Sequence, residues 1–397
     1  MAGLLAKESR MKILIKDAQV VLPDRIVSNG YVAVENGTFK QISEKEILPN
    51  GFDETVDAKG DYIFPGLVDL QVNGGGGLTF NDCRNEDDIE KILQANLATG
   101  TTSLLATVML SNTDFMRQAI RLIARMQVNS GAEIAGIHVE GPFFNSALTG
   151  MHDKANAAMP TVRGAAELVE AGEGKVKIMT LAPELINGPE IIRYLRGENV
   201  IASLGHSNAT DEETKQALEA GASMATHLFN RMSLIHHHPG KAGMIPVLLN
   251  SKANLGLIAD RAHVNDDLLR LLIRIQGANL FLVSDGLAPL GVNVTDFIYY
   301  GEKIIVRNGA CFNTEGKMAG SATPLFKGVI NMHQLGCDLP RAVAMASILP
   351  AKIIGIDAVQ GSIETGKKAD FLIVDKDRMN LKQVYKNGKK TERAYNI

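Results

Sequence analysis

Apolar residues in the middle of the chain gather into short continuous runs. Eight stand out, at 66–72, 102–109, 134–140, 177–184, 200–206, 223–229, 255–260 and 280–285. Each is short enough for a strand, and most are followed by a segment with helical spacing of apolar positions. The stretch 113–127 carries an N-cap signal at Asn112 or Thr113. The stretch 210–221 opens with a capping-box pattern, Thr210 to Glu213, and stops at Gly221. The stretch 265–277 is expected to stop at Gly277. Continuous apolar strands alternating with helices predict a parallel sheet covered on both faces. Eight such units predict an α/β fold of the TIM-like (β/α)8 barrel type. The alternative is a doubly wound sheet, which usually has fewer strands and a glycine-rich phosphate loop near its start.

The two ends of the chain read differently. Residues 11–62 are short β-rich runs broken by turn residues, with a hairpin signal at Glu35-Asn36-Gly37. Residues from about 361 onward read the same way. A small β-domain formed by both termini, 1–62 with 350–397, is therefore expected around a barrel of 63–349. Met11 opens the first β-rich run, and residues 1–10 lack the long apolar core of a secretory signal.

The chain has 397 residues, 45% hydrophobic and 21% charged, with a net charge of −3. That balance gives no reason to expect nucleic acid or an anionic membrane as partner, and no run is long enough to span a bilayer. Cys83, Cys311 and Cys337 are odd in number and far apart, which argues against a disulfide framework and fits a reducing cytoplasm.

In a barrel, chemistry sits at the C-terminal ends of the strands. Here those ends carry Gln71, Glu140, Glu184, His206, His227, Asp260 with His263 close behind, and Asp285. One such residue is usually a satisfied core or loop group. The same pattern on successive strands points to a site, because buried charges need partners or a metal. Glu140, His206 and His227 make a plausible ligand set for one divalent ion, zinc or iron, leaving a position for water. Asp285 is placed to move the proton of that water. Glu184 reads as structural, a salt-bridge partner near the rim. The glycine run Gly74–Gly77 reads as a flexible turn, since no phosphate-loop lysine follows.

These motifs, from "PGLVDLQVNG" through "HVEGPF", "TLAPE", "GHSNAT", "THLFN", "AHV" and "VSDG" to "MAGSA" and "GSIETGKKADFLIVD", resemble those of the N-acetylglucosamine-6-phosphate deacetylases of the amidohydrolase superfamily. The resemblance implies a barrel flanked by a β-sandwich, a homodimer, and metal-dependent removal of acetate from an N-acetylhexosamine 6-phosphate. It also implies that Glu140, His206 and His227 hold the metal and that Asp285 is base and acid. His152 would polarise the acetyl carbonyl, while Asn230 and His263 would contact the sugar phosphate. Gln71 stands where other superfamily members place a histidine ligand. Together with the lack of a strand-four lysine, this implies a single metal, with Gln71 lining the site.

The chain also departs from the family pattern. His238 stands where an arginine is expected to reach the 6-phosphate across a dimer interface. Arg231 and Arg261 are new. A rebuilt anion pocket is expected, because the arginine fork suits phosphate. Deacetylation of a different acetamido sugar or an unphosphorylated amide, a cyclic-amide hydrolase of the same superfamily, and a non-catalytic barrel are the competing readings. The last is disfavoured because all three ligands and Asp285 are present.

Overall fold

The computed structural model describes residues 11–128, 130–238, 241–275 and 279–391. Contacts divide the chain into two units, one from its two ends (up to Gly66 and from Leu339) and one spanning Leu67–Asp338.

The central unit is a (β/α)8 barrel. Its parallel strands and helices alternate in the order β1 (Leu67–Val72), α1 (Glu86–Ala98), β2 (Thr101–Met109), α2 (Thr113–Arg125), β3 (Glu133–Glu140), α3 (Val162–Ala171), β4 (Val176–Leu181), α4 (Gly188–Gly197), β5 (Ile201–Leu204), α5 (Asp211–Ala220), β6 (Met224–Ala225), α6 (Met244–Leu249), β7 (Asn254–Ile258), α7 (Asp266–Arg274), β8 (Asn279–Val283) and α8 (Leu325–Gln334). Every residue of β1 and β2 is buried, as expected for strands covered on both faces.

The ring is closed between β8 and β1. The Asp285 N–H donates to the Gln71 carbonyl at 3.1 Å, and the Asn73 N–H donates to the Gly286 carbonyl at 2.9 Å. Asp69, 1% exposed, staples the same seam by accepting from the backbone N–H groups of Gln71 and Ser284.

Local signals place the helices. Asn112 caps α2 through the Asp114 N–H. Thr210 and Glu213 form the reciprocal capping box of α5, which ends at Gly221 with φ 118°. The α7 helix stops at Arg274, and Gly277 lies outside the described residues. The run 223–229 yields a strand of only two residues, because His227 and Phe229 take φ of 33° and 77° and turn the backbone out of the ladder. The glycine run is packed rather than loose. Gly74, Gly76 and Gly77 donate to the 286–290 segment, and a Cβ on Gly74 would lie 2.2 Å from the Leu78 carbonyl oxygen.

Between β8 and α8 the chain inserts a four-stranded antiparallel sheet, Asp296–Tyr299, Glu302–Arg307, Ala310–Asn313 and Met318–Ser321. Its Tyr299, Ile304 and Cys311 bury against Met109 and Leu287.

In the terminal unit, Tyr62–Pro65 pairs with Phe371–Val374, joining both chain ends in one mixed, mostly antiparallel sheet. Asn36-Gly37 and Asn387-Gly388 make its two-residue hairpin turns, all four residues with positive φ. Its core holds Ile13, Ile15, Val32, Val34, Phe39, Ile63, Phe371 and Tyr385. Among the described residues, no helix is long and apolar enough to cross a membrane.

Candidate active site

Three chemical groups lie two residues past their strands: His206 after β5, His227 after β6 and Asp285 after β8. Each takes a left-handed backbone, with φ of 50°, 33° and 50°. This geometry is uncommon away from glycine and turns each side chain out of the strand's alternation. Glu140 reaches the same spot from the last residue of β3. All three ligand candidates are almost wholly buried.

Their donor atoms converge. His206 Nε2 lies 3.0 Å from His227 Nε2, and Glu140 Oε1 lies 3.5 and 3.2 Å from the two. His206 Nδ1 is 2.9 Å from the Leu148 carbonyl. A carbonyl only accepts, so Nδ1 carries the proton and the Nε2 lone pair faces inward. Phe144 stacks on the His206 ring at 4.0 Å and fixes its plane. Two imidazole nitrogens this close, beside a carboxylate, require a cation or a proton between them. Within the described residues this is the one cluster of ligating side chains within reach of a shared ion, and its donor set fits a single divalent metal.

Gln71 and Asn73 organise the carboxylates. Gln71 Nε2 donates to Glu140 Oε1 at 2.9 Å and to Asp285 Oδ1 at 3.0 Å; Asn73 Nδ2 donates to Asp285 Oδ1 at 2.7 Å. These two amides therefore grip both acids. Both donors reach the same oxygen of Asp285 and leave Oδ2 to the pocket. Burial, reinforced by the nearby charge of Glu140, raises the Asp285 carboxyl to about 6. For Glu140, burial acts upward, but the His206 and His227 rings beside it outweigh burial and hold the carboxyl below its ordinary range. Burial pushes His152 down to about 3 and keeps it neutral.

Glu140, His152, His206, His227, Asn230, Arg231, His263 and Asp285 line one cavity of about 240 Å³, with Asn73, Met109 and Tyr299. His263 is aimed by Asp260, whose Oδ2 lies 2.7 Å from Nδ1. Gln71 lies beneath the floor, with none of its surface exposed. The remaining expected residues are elsewhere. Arg261 is ion-paired with Asp266 through both arms of its fork, and His238 is exposed in the 234–238 loop with its ring against His237. Neither lines the cavity. Arg261 follows Asp260 into a left-handed turn, φ 67°, that aims it at α7. Glu184 makes no salt bridge among the described residues. It accepts from Asn145, Ser207 and the Asn208 N–H, tying the loops that carry His206.

Several contributors went unread in the sequence. His138, fully buried, contacts the Leu70 carbonyl and Thr180 Oγ1, and that hydroxyl continues through Thr226 to Ser203 as a buried polar layer across β3 to β6. Asp69 with Gln71, and His138 with Glu140, keep the period-two spacing of one strand face, a signal present in the sequence. Tyr299 and Tyr300 come from the inserted sheet and had none. Tyr300 donates to the Leu110 carbonyl at 2.7 Å, with its ring 6.2 Å from that of His152.

The amidohydrolase family model matches residues 62–391. The chain belongs to the amidohydrolase family. It is 32% identical over 375 residues to the N-acetylglucosamine-6-phosphate deacetylase of Bacillus subtilis, covering 92% of this chain and 93% of that one. It is 35% identical over 322 residues to the N-acetylgalactosamine-6-phosphate deacetylase of Shewanella sp., covering 80% of each. The crystal structure of the Pasteurella multocida N-acetylglucosamine-6-phosphate deacetylase superposes with a TM-score of 0.89 at 29% identity, over 96% of this chain and 100% of that one. As a family member with this site, the chain is a hydrolytic enzyme.

Proposed function

We propose that this amidohydrolase removes acetate from an N-acetylhexosamine 6-phosphate, releasing the amino sugar phosphate. One observation carries the reading: a two-histidine, one-carboxylate cluster beside a separately held carboxylate, Asp285, in a cavity of about 240 Å³. The names of the relatives in both sequence and structure support the substrate class.

Glu140, His206 and His227 would hold one divalent ion, zinc by the donor set, which supplies a Lewis acid and brings the ionisation of water towards neutral pH. Asp285 accepts a proton from the attacking water through Oδ2 and returns it to the nitrogen of the leaving amine. His152, kept neutral by burial, donates a ring N–H to the acetyl oxygen as charge develops there. Asn230 and His263 hold the sugar, with Asp260 fixing the His263 tautomer. Gln71 and Asn73 hold Asp285 in line. A homodimer in the cytoplasm is part of the same proposal.

Acetate release from a panel of acetamido sugars, with and without a 6-phosphate, tests the reading. Release from the glucosamine or galactosamine 6-phosphate derivative is expected. No release from any member by metal-replete protein would remove it.

A further inference from the structure

Among the described residues, one cation sits on the wall of the cavity without an ion-pair partner. Arg231 lines the cavity, is half-buried, and makes no ion pair with any described carboxylate. The only hydrogen bond of its guanidinium to the described residues is a long one, 3.4 Å from Nη2 to the Met318 carbonyl. Most of its donors are therefore uncommitted. Its backbone is held left-handed at φ 53°, so the placement is imposed against local preference. Gly150 makes room for it: a Cβ there would stand 3.0 Å from Arg231 Nε. The same glycine engages a second cation, since Lys317 Nζ donates to the Gly150 carbonyl at 2.6 Å. Lys317 precedes Met318, the residue whose carbonyl Arg231 touches, and it too lacks a described acidic partner. Two positive groups, Arg231 on the cavity wall and the exposed Lys317 of the inserted sheet just outside it, thus meet on one glycine. A partly buried, unpaired guanidinium is costly unless an anion arrives with the ligand, and its fork matches a phosphate monoester.

We propose that Arg231 and Lys317, seated on Gly150, bind the substrate's phosphate monoester from within a single chain. This rests on the sugar-phosphate reading above. It assigns the anion to Arg231 rather than to Arg261, whose fork is already filled by Asp266, and it adds Lys317.

The test compares kcat/KM for a 6-phosphorylated acetamido sugar with that for the same sugar unphosphorylated, in wild type, Arg231→Ala, Arg231→Lys and Lys317→Ala. Inorganic phosphate is added as a competing inhibitor. Wild type should prefer the phosphorylated sugar. Arg231→Ala should shrink that preference about 10- to 100-fold, the loss of a charge-assisted hydrogen bond, and weaken phosphate inhibition in parallel. Arg231→Lys should fall between, retaining charge without the fork. Lys317→Ala, at a solvent-screened position, should shrink the preference about 2- to 5-fold. If Arg231→Ala fails to fold, the lysine variants decide. A wild-type preference that survives all these substitutions overturns the clamp and leaves the deacetylase reading standing. A wild type with no preference for phosphate overturns the sugar-phosphate reading, and the clamp with it.

Discussion

Asp285 is held by two amides and has one oxygen free for chemistry. Asp285→Asn is nearly isosteric but cannot take up and return a proton. Turnover should drop about 10²- to 10⁴-fold while metal content is unchanged, as read by kcat and elemental analysis on the same sample. Near-normal kcat would make Asp285 structural. Gln71 would influence a bound metal through Glu140, because its Nε2 holds the Glu140 oxygen that faces both histidines. Gln71→Ala should weaken metal affinity about 10- to 100-fold, the usual effect of removing a partner that orients a ligand, measured by competition with a chelator. Unchanged affinity would show that the two histidines alone fix Glu140. At this scale the cluster of Glu140, His206 and His227 is legible in the sequence because such residues recur at strand ends. The partners that aim them were legible only in part. Glu184 looked like a salt-bridge partner, yet neutral donors surround it. Arg261 looked like a pocket residue, yet one left-handed turn points it to Asp266.

The strands and helices of the barrel could be read because buried parallel strands are continuous apolar runs and the caps obey local rules, as at Asn112 and at Thr210 with Glu213. The exceptions have two causes: backbone that leaves regular geometry at the site, and strands that lack a clean apolar pattern. The sixth apolar run is seven residues long but its strand only two, because the backbone turns at His227. The inserted sheet was missed as an element, since its short strands mix polar and apolar positions. The β1–β8 seam offers a test at this scale. Burial raises the Asp69 carboxyl from 3.8 to about 7. Between those values the folded chain keeps a proton that the unfolded chain releases. The stability this contributes is therefore complete below about pH 3.8 and is lost as pH rises towards about 7. Asp69→Asn stays neutral throughout. In urea melts at a series of pH values, the variant should gain on wild type steadily from about pH 4 to 7. A difference that does not change with pH would mean that the carboxyl stays ionised in the seam.

At the scale of the whole molecule, the terminal sheet and the barrel were both visible as changes of pattern along one chain, hairpin signals at the ends and strand–helix alternation between them. The residues assigned to hydrolysis fall within the barrel unit, between Gln71 and Asp285. The single-ion account rests on Gln71 and Asn73 standing as amides where more ligands would be needed for a second ion. Its most direct test is a titration of zinc into chelator-stripped protein, following acetate release from an N-acetylhexosamine 6-phosphate and bound metal together. Activity should rise in proportion to metal and level off at one ion per chain, and Glu140→Gln should neither hold the ion tightly nor turn over. Activity that continues to climb to two bound ions per chain, or full activity in the stripped protein, would contradict it.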